Sequence, residues 1–242
     1  MALWAATGRI ILGYNKRYRI YQSEYQMSHQ SLEVNEIFFS IQGESSYAGR
    51  PCAFVRLTAC NLRCSYCDTE YAFYEGTERS IAEIVAEVVE FPCDLVEITG
   101  GEPLLQTQVH DLIRALLELG KTVLIETGGA LDVSAVDPRA ILIYDIKCPD
   151  SGMADKNRWE NIALLKPVDE VKFVIGSRGD YQWSQEKIAE YRLTQHHQVL
   201  FSPVWGDLEP RQLAEWVLAD GLNVRVQIQL HKLFWGAEAR GV

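Results

Sequence analysis

The stretch Cys60-Asn61-Leu62-Arg63-Cys64-Ser65-Tyr66-Cys67-Asp68-Thr69 decides the fold, because it places three cysteines at C-x3-C-x2-C spacing directly after an apolar run. Thiolates this close in sequence can bind one soft metal centre without help from distant parts of the chain. A structural zinc site uses four ligands, and an electron-transfer iron-sulfur cluster is usually held by four cysteines. A set of three therefore leaves one iron open for a ligand or for chemistry. The alternatives are an incomplete zinc ribbon and loop cysteines that bind no metal.

Strand and helix patterns alternate around this loop. After a first apolar stretch at 34–41, buried runs predict strands at 53–57, 95–99, 122–127, 141–147, 171–175, 198–204 and 224–228. Ser80 with Glu83 forms a capping-box pattern before one helix, Gly120 is placed to end the next, and further helices are expected at 159–165, 181–191 and 210–218. About six β/α units are too few for a closed eight-stranded barrel. The sequence thus predicts an α/β fold, an incomplete parallel β/α barrel.

Polar and glycine-rich residues follow the predicted strands at the points where they end. In barrels of this kind, ligands bind at the C-terminal ends of the parallel strands. Here those ends carry the cysteine loop, Thr99-Gly100-Gly101-Glu102-Pro103, Glu126-Thr127-Gly128-Gly129, Asp145-Ile146-Lys147 and Ser202-Pro203. We therefore expect these residues to meet at one mouth.

The cysteine spacing, together with Gly-Gly-Glu-Pro at 100–103, resembles the radical S-adenosylmethionine (SAM) superfamily. The resemblance implies a 4Fe-4S cluster held by Cys60, Cys64 and Cys67, with SAM chelating the fourth iron. It also implies that SAM is contacted by Tyr66, Cys67, Asp68, Gly101, Glu102, Asp145, Ile146, Lys147, Ser202 and Pro203.

The residues before the cysteines narrow the resemblance to one family within this superfamily. Phe39-Ser40-Ile41-Gln42-Gly43-Glu44, Gly49-Arg50-Pro51 and Phe54-Val55-Arg56 are similar to the 7-carboxy-7-deazaguanine synthases of queuosine and deazapurine biosynthesis, and the likeness continues to Lys232. It implies that a radical formed from SAM removes the C6 hydrogen of 6-carboxy-5,6,7,8-tetrahydropterin. The ring then contracts, ammonia is lost, and SAM is regenerated.

The same resemblance implies roles for residues outside the SAM site. The substrate would be bound by Ile41, Gln42, Gly43, Glu44, Arg56 and Thr99. A guanidinium such as that of Arg56 suits a substrate carboxylate, which it binds in a planar fork. Thr69 would be a magnesium ligand, since Mg²⁺ prefers hard oxygen donors. We expect His231 to be a packed or capping histidine, and we assign no general base.

Composition restricts the partners. The formal net charge of -10 argues against a basic nucleic-acid groove and against a polybasic membrane surface. No apolar run approaches the roughly 18 residues that span a bilayer. The six cysteines show no disulfide framework, which favours a reducing cytoplasm. A small pterin substrate, an electron donor such as flavodoxin and a homodimer are the partners we expect.

Two segments at the ends of the sequence fit the pattern poorly. Residues 1–30 are expected to be an extension outside the fold, and residues 31–242 a single radical SAM domain. The first 26 residues lack the apolar core and cleavage site of a signal peptide, so we attribute them to a start codon chosen too far upstream. The tail at 236–242 matches no pattern that we can place.

Two other interpretations remain at this point. A glycyl-radical-enzyme activating protein shares the cysteine spacing and the Gly-Gly-Glu-Pro motif but acts on a protein. The loop at Gln42 and the segment Phe54-Val55-Arg56 favour a small carboxylated substrate instead. A non-catalytic iron-sulfur or zinc module is the second alternative, and for it SAM would be irrelevant.

Overall fold

The computed structural model describes residues 30–242, so nearly all of the expected N-terminal extension lies outside the described residues. Nine strands of this part of the chain form one sheet in the order β3-β1-β2-β4-β5-β6-β7-β8-β9. Strands β1 and β3 are antiparallel to their neighbours, whereas β2 and β4 to β9 all run parallel. The strands are β1 (Ser31–Ile41), β2 (Pro51–Leu57), β3 (Thr77–Ser80), β4 (Leu95–Gly100), β5 (Thr122–Thr127), β6 (Ile141–Ile146), β7 (Glu170–Ile175), β8 (Gln198–Pro203) and β9 (Arg225–Val226).

Helices connect most of the parallel strands and cover one face of the sheet. They are α1 (Ile81–Glu90), α2 (Val109–Glu118), α3 (Arg178–Tyr191), α4 (Leu193–His196), α5 (Pro210–Asp220) and α6 (Leu230–Trp235). Short 3-10 helices lie at Glu70–Phe73, Pro103–Leu105, Pro149–Ser151, Ala154–Lys156 and Trp159–Leu164. Within residues 30–242, none of the helices is long and apolar enough to cross a membrane. The open, mostly parallel sheet confirms the predicted partial barrel.

The two faces of the sheet bury different side chains. On the helix side, one large core contains Ile98, Leu112 and Phe173. On the inner side, a small cluster of Cys52, Phe54, Leu95 and Leu124 is packed by Phe38, Tyr47 and Ile141. Successive residues of a strand point to opposite faces. Strands with charged residues at alternate positions can therefore pack helices on one face and line a polar cavity on the other.

Local signals account for the ends of several helices. The Ser80 hydroxyl accepts a hydrogen bond from the Glu83 amide at 3.3 Å, and the Ser80 amide donates to the Glu83 carboxylate at 2.9 Å. This is the capping box that the sequence predicts for α1. Beyond α2, Gly120 has φ of +79°, a conformation that glycine adopts without a steric penalty.

Three predicted elements differ from the structure. The last strand, predicted over 224–228, contains only Arg225 and Val226; the Gln227 side chain that follows is hydrogen-bonded to Ser45 and Glu44 of the loop at 42–45. The helix predicted at 159–165 is a 3-10 helix, a form that is frequent in connecting segments such as this one between β6 and β7. The helix predicted to begin at Tyr181 begins at Arg178, where the hydroxyl of Ser177 caps it.

Candidate active site

A cavity of about 740 Å³ opens where the parallel strands end. Nearly all the residues that the sequence analysis assigns to a site lie in its wall. They are Ile41, Gln42, Gly43, Glu44, Arg56, Cys60, Cys64, Tyr66, Cys67, Asp68, Thr69, Thr99, Gly101, Asp145, Lys147, Ser202 and Pro203. One cavity thus brings together residues from the ends of several strands and from the cysteine loop, as the strand-end argument predicts.

Glu102 and Ile146 are the assigned residues that do not line this cavity. The Glu102 carboxylate accepts hydrogen bonds from the Thr127 hydroxyl at 2.9 Å, the Gly128 amide at 2.7 Å and the Leu104 amide at 3.0 Å. Its side chain therefore joins the loops that follow β4 and β5. Ile146 lies in the core on the helix side, since it alternates with the two cavity residues on either side of it. A contact between the side chain of either residue and a cavity ligand is not supported.

Close backbone contacts fix the cysteine loop to its neighbours. The Gly101 amide donates to the Leu57 carbonyl at 3.1 Å, and a Cβ at Gly101 would lie 2.1 Å from the carbonyl oxygen of Ala59. The position therefore has no room for a side chain. On the other side of the loop, the Ser65 hydroxyl donates to the Asp150 carbonyl at 2.6 Å. The cysteines are thus held between the segments that follow β4 and β6.

Buried and half-buried ionisable side chains form one part of the cavity wall, which we call the charged floor: Glu44, Glu97, Glu126, Asp145 and Lys172. The Lys172 side chain is 6% exposed, and its Nζ lies 2.6 Å from both Glu44 and Glu126 and 3.9 Å from Asp145. Burial lowers the pKa of Lys172, but the surrounding carboxylates raise it well above its usual value. The lysine therefore remains charged and offsets the repulsion between these carboxylates.

Glu97 differs from the other acids of the charged floor. Burial raises the pKa of Glu97 well above its usual range, and the charges of Glu126 and Glu44 raise it further. The Gln42 amide nitrogen donates to Glu97, while the Gln42 oxygen accepts from the Glu44 amide at 3.0 Å. The Glu97 carboxyl and the Glu44 amide thus fix the orientation of Gln42, one of the predicted substrate residues.

Arg56 lines the same cavity, and one nitrogen of its guanidinium is already hydrogen-bonded. Its Nε donates to Glu36 at 2.7 Å, and the Tyr71 hydroxyl donates to the same oxygen at 2.9 Å. The guanidinium also lies 5.8 Å from the ring centroid of Phe38. Within residues 30–242, its two terminal nitrogens donate no hydrogen bond, so they can bind a carboxylate in the cavity.

The residue after the last cysteine is bound by the C-terminal part of the chain. Lys232 and Gln229 donate to Oδ2 of Asp68 at 2.6 Å and 3.2 Å, and the Thr69 hydroxyl donates to Oδ1 at 3.0 Å. Partial loss of hydration in the cavity wall would raise the pKa of Asp68, but the Lys232 ammonium and these hydrogen bonds hold that pKa well below its usual range. Asp68 is therefore an anion at the edge of the cysteine loop.

The tail that the sequence analysis could not place forms part of the cavity wall, over residues 237–242. The Arg240 guanidinium stacks 3.8 Å from the ring centroid of Tyr71 and lies 3.3 Å from Glu75. Sequence reasoning also assigned no role to Glu97, Lys172 or Lys232. A charged residue inside an otherwise apolar strand was the available signal for Glu97 and Lys172.

Comparison with known proteins identifies the family. A model of the radical SAM superfamily matches residues 55–143. The 7-carboxy-7-deazaguanine synthase of Chlorobaculum tepidum is 50% identical over 214 residues, 87% of this chain and 97% of that protein. The protein of the same name from Koribacter versatilis is 45% identical and covers 87% of this chain and 100% of its own. This chain belongs to the 7-carboxy-7-deazaguanine synthase family. It is therefore a radical SAM enzyme, and its cofactors are a 4Fe-4S cluster and SAM.

A solved structure supports the fold independently. The crystal structure of QueE from Escherichia coli matches with a TM-score of 0.73 at 22% identity, and it covers 86% of this chain and 98% of that one. At this level of identity the likeness shows the shared fold. The two expectations from the sequence, a partial barrel and a radical SAM enzyme, are both confirmed.

The residues present fit the cofactors of this family. All six cysteines are free thiols, and burial raises the pKa of Cys60, Cys67 and Cys64, the last to about 11. Since thiolates bind iron, cluster assembly would release protons. Among residues 30–242, no three His, Cys, Asp or Glu side chains converge on a single ion. The three thiols line the same cavity, as the ligands of one cluster must.

Two unpaired polar atoms suit the second cofactor. The Tyr66 hydroxyl and Oδ1 of Asp145 are buried with no hydrogen-bond partner in the described part of the chain. The other oxygen of Asp145 accepts from Lys147 at 2.9 Å. Buried polar atoms are normally hydrogen-bonded, so both atoms indicate a polar ligand. The adenosine of SAM carries donors and acceptors that could pair with them.

The contact at Gly101 gives a testable consequence. In Gly101→Ala, the added methyl overlaps the Ala59 carbonyl, so the cysteine loop must shift. We expect a loss of about 1–3 kcal/mol in the free energy of unfolding, as for other overpacked sites, together with fewer iron atoms bound per chain. Urea unfolding and iron analysis after reconstitution measure both quantities. Gly179→Ala is the control, because its nearest neighbour is 3.4 Å away; equal results for the two variants would contradict this reading of the loop.

Proposed function

We propose that this enzyme converts 6-carboxy-5,6,7,8-tetrahydropterin into 7-carboxy-7-deazaguanine and ammonia. The observation that carries the proposal is that the cysteine loop and the charged floor line the same cavity. The family supplies the reaction class, and the floor supplies groups for a polar heterocycle. The names of the relatives favour this reaction over an activating protein that acts on a polypeptide.

The reaction requires little acid-base catalysis by the protein. When bound, the cluster and SAM supply the electron and the carbon radical that remove and later return one hydrogen atom. The substrate and the two products balance without a net oxidant, since only ammonia is lost. The chain's own residues therefore bind the substrate, orient its C6 atom and exclude water and competing hydrogen donors.

The charged floor can bind the nitrogen-rich edge of the pterin. Within residues 30–242, Oε2 of Glu126 and Oε1 of Glu97 receive no hydrogen bond, and both residues line the cavity. Ring N–H and amino groups are donors that such oxygens accept. Gln42 and Glu44 are held in place by neighbouring residues, so they would present a fixed surface to the same ring. We assign this edge of the pterin to the charged floor.

The substrate carboxylate would lie at the opposite side, near Arg56 and Thr69. The free terminal nitrogens of Arg56 can bind it in a fork. We propose that Mg²⁺ is held by the Thr69 hydroxyl, the substrate carboxylate and waters, because Mg²⁺ prefers oxygen ligands and retains much of its hydration shell. The Asp68 carboxylate next to Thr69 favours a cation there through its negative charge.

The setting in the cell is part of the same proposal. We infer an electron donor such as flavodoxin, since the first step needs one electron. The free thiols suit a reducing cytoplasm. A homodimer is expected from the frequency of such assemblies among soluble enzymes.

Product formation tests the function directly. Protein reconstituted anaerobically with iron and sulfide is incubated with SAM, a reductant, Mg²⁺ and 6-carboxytetrahydropterin, and mass spectrometry follows the products. We expect 7-carboxy-7-deazaguanine without stoichiometric consumption of SAM. Cys64→Ala should lose both the cluster absorption and the product, whereas Cys93→Ala, outside the cavity, should keep both. SAM cleavage without a pterin product would overturn the proposed substrate.

The magnesium assignment has its own test. Thr69→Ala removes the proposed oxygen ligand, so the Mg²⁺ concentration for half-maximal rate should rise by about tenfold, the size expected for one lost contact of roughly 1.4 kcal/mol. Thr69→Ser keeps the hydroxyl and its hydrogen bond to Asp68, so it should respond like the unmodified enzyme. A magnesium titration of the initial rate compares the three proteins. An unchanged response in Thr69→Ala would remove Thr69 from the metal site.

A further inference from the structure

Lys232 of α6 forms an ion pair with Asp68 of the cysteine loop. Its side chain is 6% exposed, and its Nζ lies 2.6 Å from Oδ2 of Asp68, which is 164 positions earlier in the chain. Asp68 lies between Cys67, an assigned cluster ligand, and Thr69, the proposed magnesium ligand. The lysine is therefore one side chain away from both cofactor positions, although it comes from the C-terminal part of the chain.

The segment around Lys232 also binds the loop assigned to the substrate. We call residues 227–232 the C-terminal clip. Gln229 donates to Asp68 at 3.2 Å and to Glu44 at 2.9 Å, and Gln227 donates to Glu44 at 3.2 Å. The Leu230 amide donates to the Gly43 carbonyl at 3.2 Å. The clip thus contacts the substrate loop and the cofactor loop at the same time.

The exposure of Asp68 explains why removal of Lys232 should change the position of Asp68 more than the stability of the fold. The Asp68 side chain is 44% exposed, so water can solvate its carboxylate if the lysine is removed. The lysine is the only full positive charge that holds Oδ2 of Asp68 within residues 30–242. Without it, the carboxylate and the residues on either side of it gain freedom, while the hydrophobic core stays intact.

We propose that Lys232 is a positioning residue that fixes Asp68 and thereby makes the binding of SAM and the binding of the pterin substrate reinforce each other. The identity of the two ligands rests on the proposed function. If one ligand orders its loop, the clip orders the other loop as well. The second ligand then binds with a smaller loss of conformational entropy. Such coupling is reciprocal, so each ligand tightens the other by the same factor.

The first test measures hydrogen exchange in and next to the cysteine loop, with neither SAM nor substrate bound. The Cys67 amide donates to the Cys64 carbonyl at 3.2 Å, and the Ala72 amide donates to the Thr69 carbonyl at 3.0 Å. Hydrogen exchange of these amides should be several-fold faster in Lys232→Met. Lys187→Met, which removes an ion pair on α3 outside the cavity, should leave them unchanged. Equal exchange in the two variants would overturn the proposal.

The second test measures the coupling itself. Calorimetry of the reconstituted protein gives the Kd of SAM with and without 6-carboxytetrahydropterin. We expect the substrate to tighten SAM binding by about tenfold in the unmodified protein, within the usual range of allosteric coupling. The ratio should fall toward one in Lys232→Met and largely recover in Lys232→Arg, which keeps the charge. An unchanged ratio in Lys232→Met, or no coupling in the unmodified protein, would overturn the proposal.

The two tests separate this inference from the proposed function. If the unmodified enzyme makes no 7-carboxy-7-deazaguanine, the function fails, while hydrogen exchange still reports whether Lys232 orders the loop. Thermal unfolding followed by circular dichroism checks that each variant is folded. If exchange of the Cys67 and Ala72 amides in Lys232→Met rises only as much as exchange throughout the fold, the role of Lys232 is structural alone and the proposal is overturned.

Discussion

The ion pairs of the buried Lys172 are the constraint on which the active site depends. A buried ammonium is costly by itself, and Lys172 is tolerated because Glu44 and Glu126 each lie 2.6 Å from its Nζ. Glu44 comes from the loop after β1, Glu126 from β5 and Lys172 from β7, so the pairs require these three parts of the chain to meet. Glu44 in turn binds the C-terminal clip. The charged floor therefore determines the shape of the cavity as well as its chemistry.

The loop near Glu44 and the loop near Asp68 are held close together by Gln229, which has a functional consequence. A radical must react with the intended hydrogen before it reacts with anything else, so the substrate and the cofactors have to be aligned when the reaction begins. In this molecule, the loop near Glu44 and the loop near Asp68 share partners in the clip. The tail at 237–242 covers the same cavity. Residues late in the chain thus complete a site whose first elements are near its beginning.

The fold and the cofactor loop were predictable because their signals are local. Apolar runs, the capping box at Ser80 and the spacing of the cysteines each occupy a few consecutive residues. The charged floor was not predictable, since a single Glu97 or Lys172 in an apolar strand does not reveal its partner on another strand. The Asp68 to Lys232 pair spans 164 positions and depends on how the chain returns from β9. For Glu102 the sequence motif is recognisable, but the structure gives its side chain a different role. Its carboxylate accepts hydrogen bonds from backbone amides and a hydroxyl of the protein.

One measurement tests the shared cavity most directly: an anaerobic crystal structure of the cluster-loaded enzyme with SAM and 6-carboxytetrahydropterin bound. We predict SAM at the cysteine loop, with the Tyr66 hydroxyl and Oδ1 of Asp145 now hydrogen-bonded to it. We predict the pterin against Glu126 and Lys172, with its carboxylate toward Arg56. A pterin bound outside this cavity, or SAM that leaves both buried atoms unpaired, would contradict the assignment of cofactor and substrate to one site.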